Sequence, residues 1–253
     1  MDTRFWGPSG WRLLHCATFL YTPDRRDDYQ AFFDTIPYIL PCKYCRASLT
    51  DHYEQDPIDL TSRATLSHWF YRIHNRVNDA LRGKHLRTCA TNPPFSQVKS
   101  QYYTWINKGP LSRLSTFWDF LFSVAYNHPK GVERTTKPIE GCPAYAMNCA
   151  SPTTRNRWNT LSTEDRIQWY TRFWDTLPAV LGPDLEADWR GAHSHKDLST
   201  RRSTLAWLWR QRCAIDNEFH DPYQSVCRYV ASYSSDCGSS SGRRKTCRKR
   251  KRV

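Results

Sequence analysis

Pro41-Cys42-Lys43-Tyr44-Cys45-Arg46, followed without Gly or Pro by Ala47-Ser48-Leu49-Thr50-Asp51-His52-Tyr53, reads as a cysteine pair in the first turn of a helix. A helix N-terminus carries unpaired N–H groups and partial positive charge, which stabilise a thiolate, and Lys43 and Arg46 add charge of the same sign. The pair therefore reads as redox-active. Half of a zinc site and a static disulfide are the structural alternatives. Zinc needs a second ligand pair, and no other Cys-x-x-Cys and no His-x-x-x-His occurs, so no metal ligands are assigned. A thioredoxin-like reading needs strand-helix-strand alternation, whereas the surroundings look helical throughout. Downstream, Leu66, Trp69, Phe70, Ile73, Val77 and Leu81 recur at three- and four-residue steps and predict a second helix from Leu66 to Leu81, with His74 and Asn78 on one face.

Further elements stand around this pair in order. Trp6-Gly7-Pro8-Ser9-Gly10-Trp11-Arg12-Leu13-Leu14-His15 opens the chain, followed by Tyr21-Thr22-Pro23, Phe32-Phe33 and the Pro-Cys-x-x-Cys. Trp69, His74-Asn75-Arg76-Val77-Asn78 and Gly83-Lys84 complete the set. In residues 5 to 90 the chain resembles the Erv/ALR flavin-dependent sulfhydryl oxidases, including the forms made by large DNA viruses. The resemblance implies an all-α bundle of four or five helices that binds FAD without a covalent link. It implies that Cys45 lies against the flavin and passes electrons to it as thiolate, while Cys42 is the outer sulfur that exchanges with incoming dithiols. Gly7, Trp11, His15, Tyr21, His74, Asn75, Val77, Asn78 and Lys84 match positions around the cofactor. Aromatic rings can stack on its planar parts, Asn and His can hydrogen-bond its edges, and Lys84 can meet its phosphates. The implied reaction converts protein dithiols to disulfides, with molecular oxygen as final acceptor and hydrogen peroxide as product, and the implied assembly is a homodimer.

The chain also departs from the family. A second, structural cysteine pair usually has one member where Tyr71 stands, which leaves Cys89 without its expected partner; Cys16 or a later cysteine is an alternative. The mobile shuttle pair of many members could only be Cys142/Cys149 or Cys237/Cys247 here, with an exposed disulfide unrelated to catalysis as the competing reading.

The 253 residues suffice for one large or two small domains. No secretory signal is evident and no apolar run approaches a membrane span, so no membrane partner is expected. Ten cysteines without such a signal point to reduced thiols, metal ligands or catalysis. The context expected is host cytoplasm or virion if the protein is viral, and the mitochondrial intermembrane space if it is cellular. Of the formal net charge of +13, Arg243, Arg244, Lys245, Arg248, Lys249, Arg250, Lys251 and Arg252 supply eight, leaving +5. This tail follows a Ser/Gly-rich stretch with almost nothing to bury, reads as disordered, and is a candidate contact for nucleic acid or another polyanion.

A degenerate second copy follows the first. Phe117 to Pro129 lays on Trp11 to Pro23, Phe173-Trp174-Asp175-Thr176-Leu177-Pro178 on Phe32-Phe33-Asp34-Thr35-Ile36-Pro37, and Ser203 to Trp209 on Ala64 to Phe70. Pro183, Glu186 and Cys213 stand where Cys42, Cys45 and His74 would be, so the copy reads as a helical pseudo-oxidase domain. Chance similarity of aromatic-rich helices is the competing explanation. The expected organisation is an FAD-binding domain over 1–92, a linker over 93–115 with a short helix around Tyr102 to Ile106, the pseudo-oxidase domain over 116–231 and the basic tail over 232–253. Lys130 to Asn159 is expected to be a long loop. The rival to an enzyme is a non-catalytic scaffold or packaging protein that binds nucleic acid through its tail.

Overall fold

Helix starts in this chain are encoded in short polar turns. Asp59 Oδ1 accepts from the Thr61 N–H at 2.9 Å, and Ser62 then caps the helix Arg63–Arg82. Ser62 Oγ accepts from the Thr65 N–H at 3.1 Å, while Thr65 Oγ1 accepts from the Ser62 N–H at 3.0 Å. The same construction precedes Arg201–Ile215: Asp197 Oδ1 accepts from the Ser199 N–H at 2.9 Å, and Thr200 and Ser203 form the reciprocal box at 3.1 and 3.0 Å. The two segments, Asp59-Leu60-Thr61-Ser62-Arg63 and Asp197-Leu198-Ser199-Thr200-Arg201, are a repeat that comparing apolar positions passes over. Counted from these caps, Trp207 stands opposite Trp69 and Arg212 opposite His74. The register that put Cys213 opposite His74 is therefore shifted by one residue.

The computed structural model describes residues 1–83, 91–131, 161–192 and 195–234. In chain order the helices are α1 (Thr3–Leu20), α2 (Arg26–Ile39), α3 (Lys43–Gln55), α4 (Arg63–Arg82), α5 (Phe95–Ile106) and α6 (Pro110–Ser115). After them come α7 (Trp118–Tyr126), α8 (Thr163–Val180), α9 (Pro183–Gly191), α10 (Arg201–Ile215) and α11 (Tyr223–Ser232), and no strand occurs among the described residues. The all-α expectation holds. No helix is long and apolar enough to cross a membrane among the described residues.

Packing repeats with the sequence. In the first half α1 lies on α4 and α5 while α2 lies on α3; in the second, α7 lies on α10 and α11 while α8 lies on α9. Matching polar contacts close each half: Tyr21 Oη donates to the Leu60 carbonyl at 2.6 Å, and His128 Nε2 lies 2.9 Å from the Leu198 carbonyl. The halves meet through α1 on α7 and α2 on α8. At the α2–α8 contact Phe32 stacks on Phe173 with ring centroids 5.7 Å apart, and both rings are fully buried. Burying such a side chain is worth about 1.5–3 kcal/mol, so the junction is core rather than a wet interdomain face. Arg25 reaches across as well, its guanidinium bidentate on Glu186 at 2.7 and 3.2 Å.

The stretch expected to be a linker, 93–115, carries α5 and α6. Val98 and Tyr102 of α5 are buried in the common core, so α5 continues the first bundle. Residues 132–160 and 235–253, which contain most of the expected long loop and the basic tail, lie outside the described residues.

Candidate active site

The cysteine pair sits where the helix start predicts it. Cys42 is the N-cap of α3 and its Sγ accepts from the Cys45 N–H at 3.2 Å. The two form a disulfide across a Cα–Cα separation of 5.2 Å. Arg46 Nη1 donates to the Leu40 carbonyl at 2.6 Å, which ties the first turn of α3 to the end of α2. Cys45 is half-buried and faces a cavity, whereas Cys42, the sulfur expected to meet substrate, is only 5% exposed. Its place as N-cap in the bend between two helices keeps it inside the core.

The cavity has a volume of about 420 Å³ and is walled chiefly by three helices, with Ile36 of α2 and Phe120 of α7 adding to the lining. Helix α3 presents Cys45, Ser48, Leu49 and His52, a spacing of three and four residues that forms one face. Helix α4 presents Phe70, His74, Val77, Asn78 and Leu81 by the same rule, and α1 supplies Trp6, Gly7, Gly10, Trp11 and Leu14. No atom lies within 4 Å of where a Cβ on Gly7 would stand, so α1 leaves open space there. The isoalloxazine of a flavin is a flat, largely apolar ring system with a polar edge. Apolar and aromatic walls broken by Asn78, His74, Ser48 and Arg4, with Cys45 in one wall, fit such a group.

An aromatic cluster forms part of the wall and continues behind it. Trp11 and His74 stack with centroids 3.8 Å apart and planes within 5°. His15 Nε2 is 2.9 Å from His74 Nδ1, so the two imidazoles hold complementary tautomers, one N–H donating to the other ring. Burial first, and the proximity of His74 second, hold the His15 pKa well below the ordinary imidazole value of 6.5, which keeps the ring neutral at pH 7. Asn78 is buried and pinned from outside: its Nδ2 donates to Asn92 Oδ1 at 3.1 Å, and Arg82 donates to the same oxygen at 3.0 Å. Asn92 in turn donates to Asp79 at 3.0 Å, and Arg82 pairs with Asp79.

Of the residues singled out from sequence, Cys45, Gly7, Trp11, His74, Val77 and Asn78 come together on the cavity. His15 stands one layer behind, in contact with His74. Tyr21 does not reach the cavity: it is fully buried and its hydroxyl serves the Leu60 carbonyl, a role in joining α1 to the α4 cap. Asn75 is half-buried and is absent from the cavity wall, because it lies one position off the face that carries His74 and Asn78. Lys84 lies outside the described residues, as do Cys89, Cys142, Cys149, Cys237 and Cys247. Cys16 is a free core thiol whose pKa burial pushes up to about 12, so it is an unreactive packing group. Tyr71, standing where a structural cysteine was expected, donates its hydroxyl to the Pro93 carbonyl at 2.8 Å and so pins the same connection without a covalent bond. No metal-binding cluster occurs among the described residues. Sequence reasoning missed Trp6, Phe70 and His52; His52 was within reach of it, since it follows Cys45 by seven residues and so shares its helical face.

Known proteins are similar to this region in sequence. The profile of the Erv1 / Alr family matches residues 8–103. A protein of Acanthamoeba polyphaga mimivirus named "Probable FAD-linked sulfhydryl oxidase" is 32% identical over 117 residues, 42% of this chain and 81% of that protein. A candidate FAD-linked sulfhydryl oxidase of Invertebrate iridescent virus 6 is 36% identical over 94 residues, 31% of this chain and 80% of its own length. The mitochondrial FAD-linked sulfhydryl oxidase of Saccharomyces cerevisiae is 28% identical over 85 residues, 32% of this chain and 45% of its own length. No solved structure matches the chain.

Proposed function

The chain belongs to the Erv1/Alr family, and from that premise we propose that it is an FAD-linked thiol oxidase acting on protein dithiols. The observation that carries the reading is the placement of Cys45, half of a disulfide at a helix N-terminus, in the wall of a cavity with Trp11, His74 and Asn78. A substrate thiolate attacks Cys42 Sγ, the Cys42–Cys45 bond breaks, and Cys45 leaves as thiolate at the helix N-terminus. The second substrate thiol then attacks the substrate sulfur of the mixed disulfide, which forms the product disulfide and frees Cys42. When bound, FAD supplies a two-electron acceptor beside Cys45 and passes the electrons to molecular oxygen, giving hydrogen peroxide. Trp11 and the His15/His74 pair would hold the planar ring, and Asn78, fixed by Asn92, would offer its amide to the ring's polar edge. Exposure of Cys42 requires the chain around Pro41 to yield to substrate.

The second half is a degenerate copy of the first. Its support is the repeated caps, the repeated helix packing and the contact between Phe32 and its sequence counterpart Phe173. Pairing α1 with α7 and α2 with α8 is the geometry of a two-fold dimer joined into one chain, so light scattering should report the mass of a single 29.8 kDa chain rather than the homodimer expected from the family. The basic residues 243–252 bind a polyanion independently of the chemistry.

Purified protein tests the main reading. It should be yellow, release FAD on denaturation and consume oxygen with dithiothreitol. Folded protein that contains no flavin and cannot be reconstituted with it overturns the proposal.

A further inference from the structure

The second half has no counterpart of the cysteine pair, yet it grips the cavity wall of the first at two places. Pro8 stands inside α1 and has no N–H, so the helical bond to the Arg4 carbonyl is missing and the first turns of α1 are weakly held by their own ladder. Those turns carry Thr3, Arg4, Trp6, Gly7 and Gly10 on the cavity.

One grip is at the rear. Ser9 Oγ donates to the Thr116 carbonyl at 2.8 Å and accepts from the Phe120 N–H at 3.0 Å, so a hydroxyl of α1 satisfies a first-turn donor of α7, whose own N-cap offers no side-chain bond. Phe120, fully buried, lies directly behind Gly10. A Cβ there would meet its ring at 2.9 Å. The same ring lies 6.0 Å from that of Trp6 and is anchored by Phe173 at 6.3 Å. The other grip is at the helix start: Phe5 stacks on Tyr233 at 3.9 Å with planes within 2°, and the Asp2 N–H donates to the Tyr233 carbonyl at 2.9 Å.

We propose that the second half is part of the cofactor-binding machinery, a two-point clamp on the first turns of α1 in which Phe120 both backs Gly10 and lines the cavity, while Tyr233, off the cavity, is a positioning residue. The inference rests on the FAD reading above. A clamp acts on the population of the competent wall: if loosening it leaves a tenth of molecules competent, the apparent Kd for FAD rises about tenfold.

The test uses full-length holoprotein, diluted so that released FAD reports as fluorescence, with visible circular dichroism of the bound flavin and thermal melting recorded alongside. Phe120→Ala and Tyr233→Ala should each raise the Kd about tenfold and weaken the flavin dichroism, and Phe120→Met, close to Phe in volume, should restore most of both. Leu208→Ala, an equally buried truncation in α10 away from the cavity, should lower the melting temperature while keeping the wild-type Kd and dichroism. Wild-type affinity in Tyr233→Ala, whose side chain lies off the cavity, or equal loss in Leu208→Ala, overturns the clamp. Tyr233 is half-buried, so its variant reports even where Phe120→Ala fails to fold. Wild-type protein unable to bind FAD overturns the functional reading itself, a separate outcome.

Discussion

Replacing Tyr170 with Phe removes a single oxygen from the junction of the two halves. Tyr170 is 1% exposed and its hydroxyl lies 3.2 Å from the Ile39 carbonyl and 3.0 Å from the Asn127 carbonyl, while accepting from Asn127 Nδ2 at 3.1 Å. A phenol has one proton, so it serves one carbonyl at a time. The Phe variant keeps the ring, including its contact with His128 at 5.9 Å, and leaves the buried Ile39 carbonyl and the half-buried polar groups of Asn127 short of a partner. Orphaning such groups costs about 1–3 kcal/mol, and a loss of about 2 kcal/mol in a chain of this size lowers Tm by about 4–8 °C. Denaturant unfolding and thermal melting should agree on that loss at unchanged m-value. In the double variant with Asn127→Ala the losses should fall short of additivity by about 0.5 kcal/mol or more, since both substitutions remove the same bond. A Tm shift under about 1 °C in Tyr170→Phe would refute the claim that this hydroxyl joins the halves, and strict additivity would refute its bond to Asn127.

Other outcomes follow from the site and the charges. Cys42→Ser and Cys45→Ser should both abolish oxygen consumption with dithiothreitol, but only Cys42→Ser should show a long-wavelength thiolate–flavin absorption band, because Cys45 is the sulfur on the cavity; the band in Cys45→Ser alone would reverse the roles. Burial is the first cause holding His15, His52 and His128 below the ordinary value of 6.5. The unfolded chain then binds protons that the folded chain refuses as pH falls through 6.5, so the urea midpoint should be retained above that pH and drop below it; an unchanged midpoint at pH 5.5 contradicts this. Deleting residues 239–253 removes eight positive charges and should leave dithiothreitol turnover nearly unchanged while abolishing most salt-dependent polyanion binding. Equal polyanion binding by the truncated and full-length proteins would leave the tail without that role.

The helix that carries Cys42 and Cys45, the face shared by His74 and Asn78, and the all-helical class were legible in the sequence because each depends on spacings of three or four residues along one helix. The likeness between the halves, proposed here as a duplication, was legible in part: Phe173-Trp174 suggested it, while the polar pair Asp59-Leu60-Thr61-Ser62 and Asp197-Leu198-Ser199-Thr200 was overlooked, since caps carry their signal in hydrogen-bonding types rather than hydropathy. Tyr21 had the residue type of a cofactor contact and became a buried strut because the Leu60 carbonyl lies within reach of its hydroxyl, a fact about a turn 39 residues away. The low exposure of Cys42, the pinning of Asn78 by Asn92, and the seat of Phe120 behind Gly10 belong to the same class. Each joins residues on different helices, and the distances between helices are set by side-chain volumes packed from both sides of a contact. Local sequence fixes which residues a helix presents; what each then meets is decided only when the two halves close on one core.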